Sequence, residues 1–98
     1  MGLFKIESEK VLEKKLSSEV KKLGGWTLKL LTKHINGLPD RICLLPSGRV
    51  FFAEIKTAKK KPERLQNIMH RKLRKLGFNV YIIDTTEDIN QIIRTYEL

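Results

Sequence analysis

Gly37-Leu38-Pro39-Asp40-Arg41-Ile42-Cys43-Leu44-Leu45-Pro46-Ser47-Gly48-Arg49-Val50-Phe51-Phe52-Ala53-Glu54-Ile55-Lys56 is the stretch that decides the fold. Two apolar runs of strand length flank Pro46-Ser47-Gly48, a turn signal. Folded antiparallel about Ser47, the runs set Leu44 opposite Val50, Ile42 opposite Phe52 and Asp40 opposite Glu54. Directly opposed residues share one side of a sheet, with Cβ atoms about 4.5–5.5 Å apart. Lys56, two residues beyond Glu54, lies on that same side. The hairpin therefore gathers Asp40, Glu54 and Lys56 on one face at one end.

Two facing carboxylates repel and destabilise a strand pair unless something positive compensates. Lys56 is one compensating charge, and a simple acid–lysine ion pair at a solvated strand end accounts for the trio. A hard divalent cation such as Mg²⁺ accounts for it as well, since it takes one or two carboxylates, waters and substrate phosphates. The rest of the chain bears on the choice.

The chain has 98 residues, enough for one domain over 1–98 with a modest core. Its net charge of +9 points to a polyanionic partner, nucleic acid before an anionic membrane surface. Cys43 is the one cysteine, so no internal disulfide forms; inside an apolar strand it reads as a small buried hydrophobe. No apolar run reaches the ~18–20 residues of a membrane span. No long apolar region follows Met1, so an intracellular, cytoplasmic protein is expected.

Leu12, Leu16, Val20 and Leu23 mark a helix over 8–23, capped by Ser8 and stopped by Gly24-Gly25. Glu9 falls near the middle of that apolar stripe, with Glu13 and Glu19 toward its edges. Two readings of Glu9 stand: an acid stabilised by the helix dipole at a solvated end, or one leaning over the sheet toward Asp40 and Glu54. Residues 26–33 form a strand candidate. His34 falls in a loop, and Pro39 suits the start of a strand.

After the hairpin come a basic loop, Lys59-Lys60-Lys61, and a helix over 62–76 with Pro62 at its first position. Its expected buried stripe is Leu65, Ile68 or Met69, Leu73 and Leu76. From Lys56 to Lys75 there are nine Lys or Arg and one acid, Glu63. Such a run neutralises backbone phosphates without reading sequence. Lys59, Lys60, Lys61, Arg64, His70 and Arg71 are the candidate nucleic-acid contacts. Gln66 and His70 share a helix face; on spacing alone Gln66 reads as solvated. Residues 78–84 form a near-continuous apolar strand, expected at a central position in the sheet. A last helix over 87–96, capped by Thr85 or Thr86, turns Ile89, Ile92, Ile93 and Tyr96 inward. The fold class is α/β: a mixed sheet in an α-β-β-β-α-β core with a C-terminal helix.

Pro39-Asp40, a 13-residue gap and Glu54-Ile55-Lys56 together resemble the PD-(D/E)xK nuclease superfamily and its restriction-endonuclease-like core. The wider set is similar to the VRR-NUC family. It comprises Leu23-Gly24-Gly25, Gly37-Leu38-Pro39-Asp40-Arg41, Leu44-Leu45-Pro46-Ser47-Gly48-Arg49, Phe52-Ala53-Glu54-Ile55-Lys56, Gln66 and Leu73-Arg74-Lys75-Leu76-Gly77-Phe78-Asn79-Val80-Tyr81. Small standalone members of that family occur in phages and bacteria.

The resemblance implies Mg²⁺- or Mn²⁺-dependent hydrolysis of DNA phosphodiesters. Asp40, Glu54 and the Ile55 carbonyl would be metal ligands, and Lys56 the catalytic lysine. Gln66 would be the glutamine of the following helix, and Glu9 the acid of the N-terminal helix, by counting back from the double glycine. It further implies structure-selective cleavage of branched DNA by a homodimer resembling Holliday-junction resolvases. A flap- or end-directed nuclease and a non-catalytic nucleic-acid-binding module of the same fold are the alternatives. The facing acids argue against the binding module, and no aromatic stacking motif in the strands supports an RNA binder.

Overall fold

The computed structural model describes residues 8–31, 34–57 and 62–97. Eight elements follow in order. Helix α1 is Glu9–Lys22, strands β1 and β2 are Trp26–Lys29 and Arg41–Leu45, and a single 3₁₀ turn covers Pro46–Gly48. Strand β3 is Arg49–Ile55, helix α2 is Arg64–Lys75, strand β4 is Asn79–Ile83 and helix α3 is Thr86–Tyr96. The α/β class and the α-β-β-β-α-β order with a final helix are as the sequence implies.

The sheet runs β1-β2-β3-β4, antiparallel at the first two pairings and parallel between β3 and β4. The hairpin register is the expected one: Ile42 pairs with Phe52 and Leu44 with Val50. Ser47, at φ +66°, sits at the centre of the turn. Strand β4 pairs only with β3 and is an edge strand, not the central one its apolar run suggests. Helices cover both sides of it, which supplies the burial that a run of this kind normally finds mid-sheet.

The two sheet faces differ. One carries Cys43, Leu45, Phe51, Ala53, Ile55 and Ile83, packed against Leu12, Leu16 and Val20 of α1 and Ile89, Ile92, Ile93 and Tyr96 of α3. Phe51 stacks on Tyr96 at 4.9 Å between ring centroids. Both helix stripes are those read from sequence, and Ser8 and Thr85 accept the expected capping hydrogen bonds from Val11 and Asp88. Cys43 is fully buried in this layer, where burial pushes its thiol up to about 11. A thiol so protonated is no nucleophile at neutral pH.

The opposite face carries Phe52 and Val80, buried under α2, and ends in Asp40 and Glu54. The stripe expected to bury α2 does so only in part, through the half-buried Met69 and Leu73. Leu65, Ile68 and Leu76 are exposed, and His70 is the buried residue of the helix. The stripe facing the sheet is Gln66, His70 and Arg74: Gln66 bonds Glu54, and Arg74 donates to the Val80 carbonyl at 2.7 Å. Apolar periodicity misleads here because the sheet end beneath α2 is itself polar.

Candidate active site

The Asp40–Glu54 pair sits where β2 begins and β3 ends. Beyond the last ladder pair, Arg41 with Ala53, the two strands stay joined through their acids. The Asp40 N–H donates to Glu54 Oε1 at 3.2 Å, and the Ile55 N–H donates to Asp40 Oδ2 at 3.3 Å. Each carboxylate thus braces the backbone of the other strand. The N–H and C=O of a strand residue point to the same side, so the Ile55 carbonyl opens on the Asp40 side as well.

Glu54 is fully buried. Its Oε2 accepts from Gln66 Nε2 at 3.1 Å and pairs with Lys56 Nζ at 3.5 Å. Burial, and after it the neighbouring Asp40 carboxylate, push the Glu54 carboxyl up to about 7, against the opposing pull of Lys56. A buried carboxylate beside a second carboxylate is under-compensated by one lysine. Its hard oxygen donors are those a divalent cation such as Mg²⁺ takes, and such a charge would lower the cost of ionising both acids. The donor set therefore fits this kind of ion, with Asp40, Glu54 and the Ile55 carbonyl as the groups able to hold it.

Gln66 is half-buried rather than solvated. Its Oε1 accepts from the Glu63 N–H at 3.1 Å, which caps α2, while its amide nitrogen reaches Glu54. Pro39 is buried, and Gly37 holds the preceding loop against α2. Asp40 and Gln66 thus reach Glu54 from two segments that touch each other.

Of the two readings of Glu9, the structure matches the acid at a solvated helix end. Glu9 is exposed in the first turn and contacts neither Asp40 nor Glu54. Among the described residues no third Asp, Glu, His or Cys joins the pair in a metal-holding group. Glu13, one turn on, instead pairs with Arg41 Nη2 at 3.0 Å and so ties α1 to the residue after Asp40. The helical wheel places Glu13 at a stripe edge; what it could not supply is the identity of the cation it meets.

Among the candidate nucleic-acid contacts, Arg64 and Arg71 are exposed on α2. His70 is 1% exposed and is not available to a nucleic-acid backbone at the surface. Lys59, Lys60 and Lys61 lie outside the described residues. His34 is exposed in its loop.

No family model matches the chain. The phage protein p44 of Acyrthosiphon pisum secondary endosymbiont phage 1, assigned as a nuclease, is 38% identical over 85 residues, 87% of this chain and 90% of its own length. A solved VRR-NUC domain superposes with a TM-score of 0.84 at 30% identity, over 91% of this chain and 97% of that one. The chain belongs to the VRR-NUC family. The resemblance read from Pro39-Asp40 and Glu54-Ile55-Lys56 is thus a family relationship that extends over most of the length. The VRR-NUC fold accounts for the mixed sheet, the N-terminal helix and the closing helix together. Among the described residues no helix is long and apolar enough to cross a membrane.

Proposed function

We propose that this VRR-NUC nuclease hydrolyses DNA phosphodiester bonds in a Mg²⁺- or Mn²⁺-dependent reaction at Asp40, Glu54 and Lys56. The observation that carries the reading is the fully buried Glu54, set against Asp40 and Lys56 where two strands end. A structural ion pair has no need of the second carboxylate; a nuclease does.

Asp40, Glu54 and the Ile55 carbonyl would hold the cation, which when bound supplies charge neutralisation at the phosphate and a lowered water pKa. Lys56 is tethered to Glu54 and only partly exposed, so its ammonium is presented at a fixed point rather than free in solvent. There it stabilises negative charge developing on a phosphate oxygen and orients the attacking water. Gln66 keeps Glu54 Oε2 turned toward Lys56. Arg64 and Arg71, with Lys59, Lys60 and Lys61, neutralise the DNA backbone, so binding should weaken steeply with salt. Glu9 enters this scheme only if DNA or metal draws the start of α1 toward the pair.

The preferred substrate in this reading is branched DNA, cut by a homodimer with one site per strand. The resemblance to Holliday-junction resolvases supports it, since a two-fold dimer sets two active sites against two strands of a junction. So does the exposed apolar stripe of α2, Leu65, Ile68 and Leu76, on a chain that otherwise repels its copies by charge.

The test is cleavage of labelled duplex, single-stranded, flap and four-way-junction DNA with Mg²⁺, Mn²⁺ or EDTA. Paired, metal-dependent nicks in the junction support the whole reading. Cleavage confined to flaps or ends keeps the nuclease and removes the junction preference. Binding without cleavage on any substrate moves the chain to a non-catalytic binding module. A monomeric mass by light scattering at micromolar concentration removes the dimer.

A further inference from the structure

The mechanism above uses cations of α2 and none of α1. Helix α1 carries three acids and five lysines. Two of the acids are already matched, Glu13 by Arg41 at 3.0 Å and Glu19 by Lys22 at 2.9 Å. Lys10, Lys14 and Lys21 are exposed and make no ion pair among the described residues. On an α-helix these three fall within about 40° of one line. The exposed hydroxyl residue Ser17 stands between them on that line, and no acid does.

The line has a direction. Glu13 meets Arg41, the residue after Asp40, so the start of α1 lies at the acid end of the sheet. Gly25, just past the end of α1, packs on the Leu44 backbone and the Leu45 side chain, at the hairpin-turn end. The lysines therefore begin with Lys10 near the acid end and run about 17 Å away from it to Lys21. That is the length of about five base pairs of duplex.

Helix α2 lies on the opposite face of the sheet, with Gln66 on Glu54 and Arg74 on the Val80 carbonyl, whereas Leu12, Leu16 and Val20 pack α1 on the core face. The sheet separates the two sets of cations. A duplex laid along α2 is on the wrong side to meet α1. One laid straight across the acid end reaches the first residues of each helix, Lys10 and Arg64, and leaves Lys14 and Lys21 behind. A second arm, leaving the acid end along α1, meets all three lysines. We infer that Lys10, Lys14 and Lys21 are a second DNA-binding track, which holds one arm of a branched substrate along α1 while α2 holds another, so that the branch point falls at Asp40 and Glu54. Three unpaired ammonium groups in a row neutralise backbone phosphates without reading sequence, which is what an arm of arbitrary sequence requires. The inference rests on the branched-DNA reading above.

The test is fluorescence anisotropy in EDTA, so that binding is read without cleavage, with a four-way junction and a linear duplex of equal length. The variant is the triple Lys10→Ala, Lys14→Ala, Lys21→Ala, which keeps good helix formers at exposed positions; a thermal melt checks its fold. Junction affinity should fall at least about 10-fold and its log–log salt slope should shrink by about 3, with linear-duplex affinity nearly unchanged. The triple Lys→Arg variant at the same positions should bind the junction as wild type does. Hydroxyl-radical footprints of the wild-type complex should show protection about five base pairs out along a second arm, lost in the alanine variant. Unchanged junction affinity in the alanine variant would overturn the inference. Equal losses on junction and linear duplex would overturn it too, because the lysines would then be general phosphate contacts. So would unchanged junction affinity with lost binding to phosphatidylserine vesicles, which would make the line a membrane contact. Wild-type protein that binds the junction no better than the linear duplex overturns the branched-DNA reading and this inference together.

Discussion

Gln66 donates its side-chain amide to Glu54 Oε2 at 3.1 Å while its carbonyl oxygen caps α2 at the Glu63 N–H, also at 3.1 Å. One side chain therefore sets both where the helix begins and where the buried carboxylate points. Gln66→Glu separates the two roles. A glutamate at this position still caps the helix but presents Glu54 with a carboxylate instead of a donor. The expected result is a melting temperature close to wild type at neutral pH in Mg²⁺ and a cleavage rate down at least about 10-fold. Gln66→Ala should lose the rate and about 1 kcal/mol of stability as well. Equal cleavage by Gln66→Glu and wild type would show that the contact to Glu54 has no catalytic consequence.

Lys56 and the surface cations are expected to separate in the same way. Lys56 is tied to the buried Glu54, whereas Arg64 and Arg71 are exposed at the surface of α2. Lys56→Ala should slow cleavage by at least about 100-fold, the usual effect of removing a donor aimed at developing charge, with DNA affinity by fluorescence anisotropy nearly unchanged. A double Arg64→Ala, Arg71→Ala variant should weaken binding and flatten its salt dependence. Reversal of these two patterns would remove the assignment of Lys56 to chemistry.

Gly37 tests whether the Asp40 loop is held by α2. At φ +86° it favours glycine, and a Cβ there would lie 2.5 Å from the Leu65 carbonyl oxygen, a backbone atom that cannot rotate away. Gly77, at φ +97°, has the same conformational demand with open space around it. Gly77→Ala should cost about 1 kcal/mol from strain alone. Gly37→Ala should cost about 1–3 kcal/mol and lower cleavage, because the loop that leads into Asp40 must move. The check is urea denaturation of both variants beside their cleavage rates. Equal losses in the two would mean that contact with α2 contributes nothing.

The hairpin was legible because its information is local. Pro46-Ser47-Gly48 fixes the register, and the register alone carries Asp40 to Glu54 and Lys56. Helices α1 and α3 were legible because each buries one apolar stripe against one apolar sheet face. Helix α2 was not, since its partner is the polar end of the sheet; His70 is buried there while Leu65 and Leu76 stay in solvent. Strand β4 shows the same limit: Val80 and Ile83 are buried by helices rather than by a central place in the sheet. Glu9 and Glu13 lie one turn apart on one stripe, and only the position of Arg41 in three dimensions tells them apart.

The raised Glu54 carboxyl makes stability depend on pH in an unusual direction. Folded, it titrates at about 7; its ordinary value is 4.5. Between those values the folded protein keeps a proton that the unfolded chain has released. The metal-free protein should therefore lose stability as pH rises from about 4.5 to about 7 and change no further on this account above it. Below 4.5 both states are protonated and the penalty is absent. A shift of this size corresponds to about 3 kcal/mol at pH 8. Glu54→Gln removes the proton exchange and keeps the shape, so it should melt above wild type at pH 8 in EDTA and draw level near pH 4.5. Mg²⁺ should then raise the wild-type melting temperature at pH 8 but not that of Glu54→Gln. Differential scanning fluorimetry across this range, with and without Mg²⁺, is the measurement. A wild-type-to-variant gap that stays constant with pH would mean that Glu54 ionises as readily in the fold as in water. The electrostatic case for a cation at this site would then fall with it.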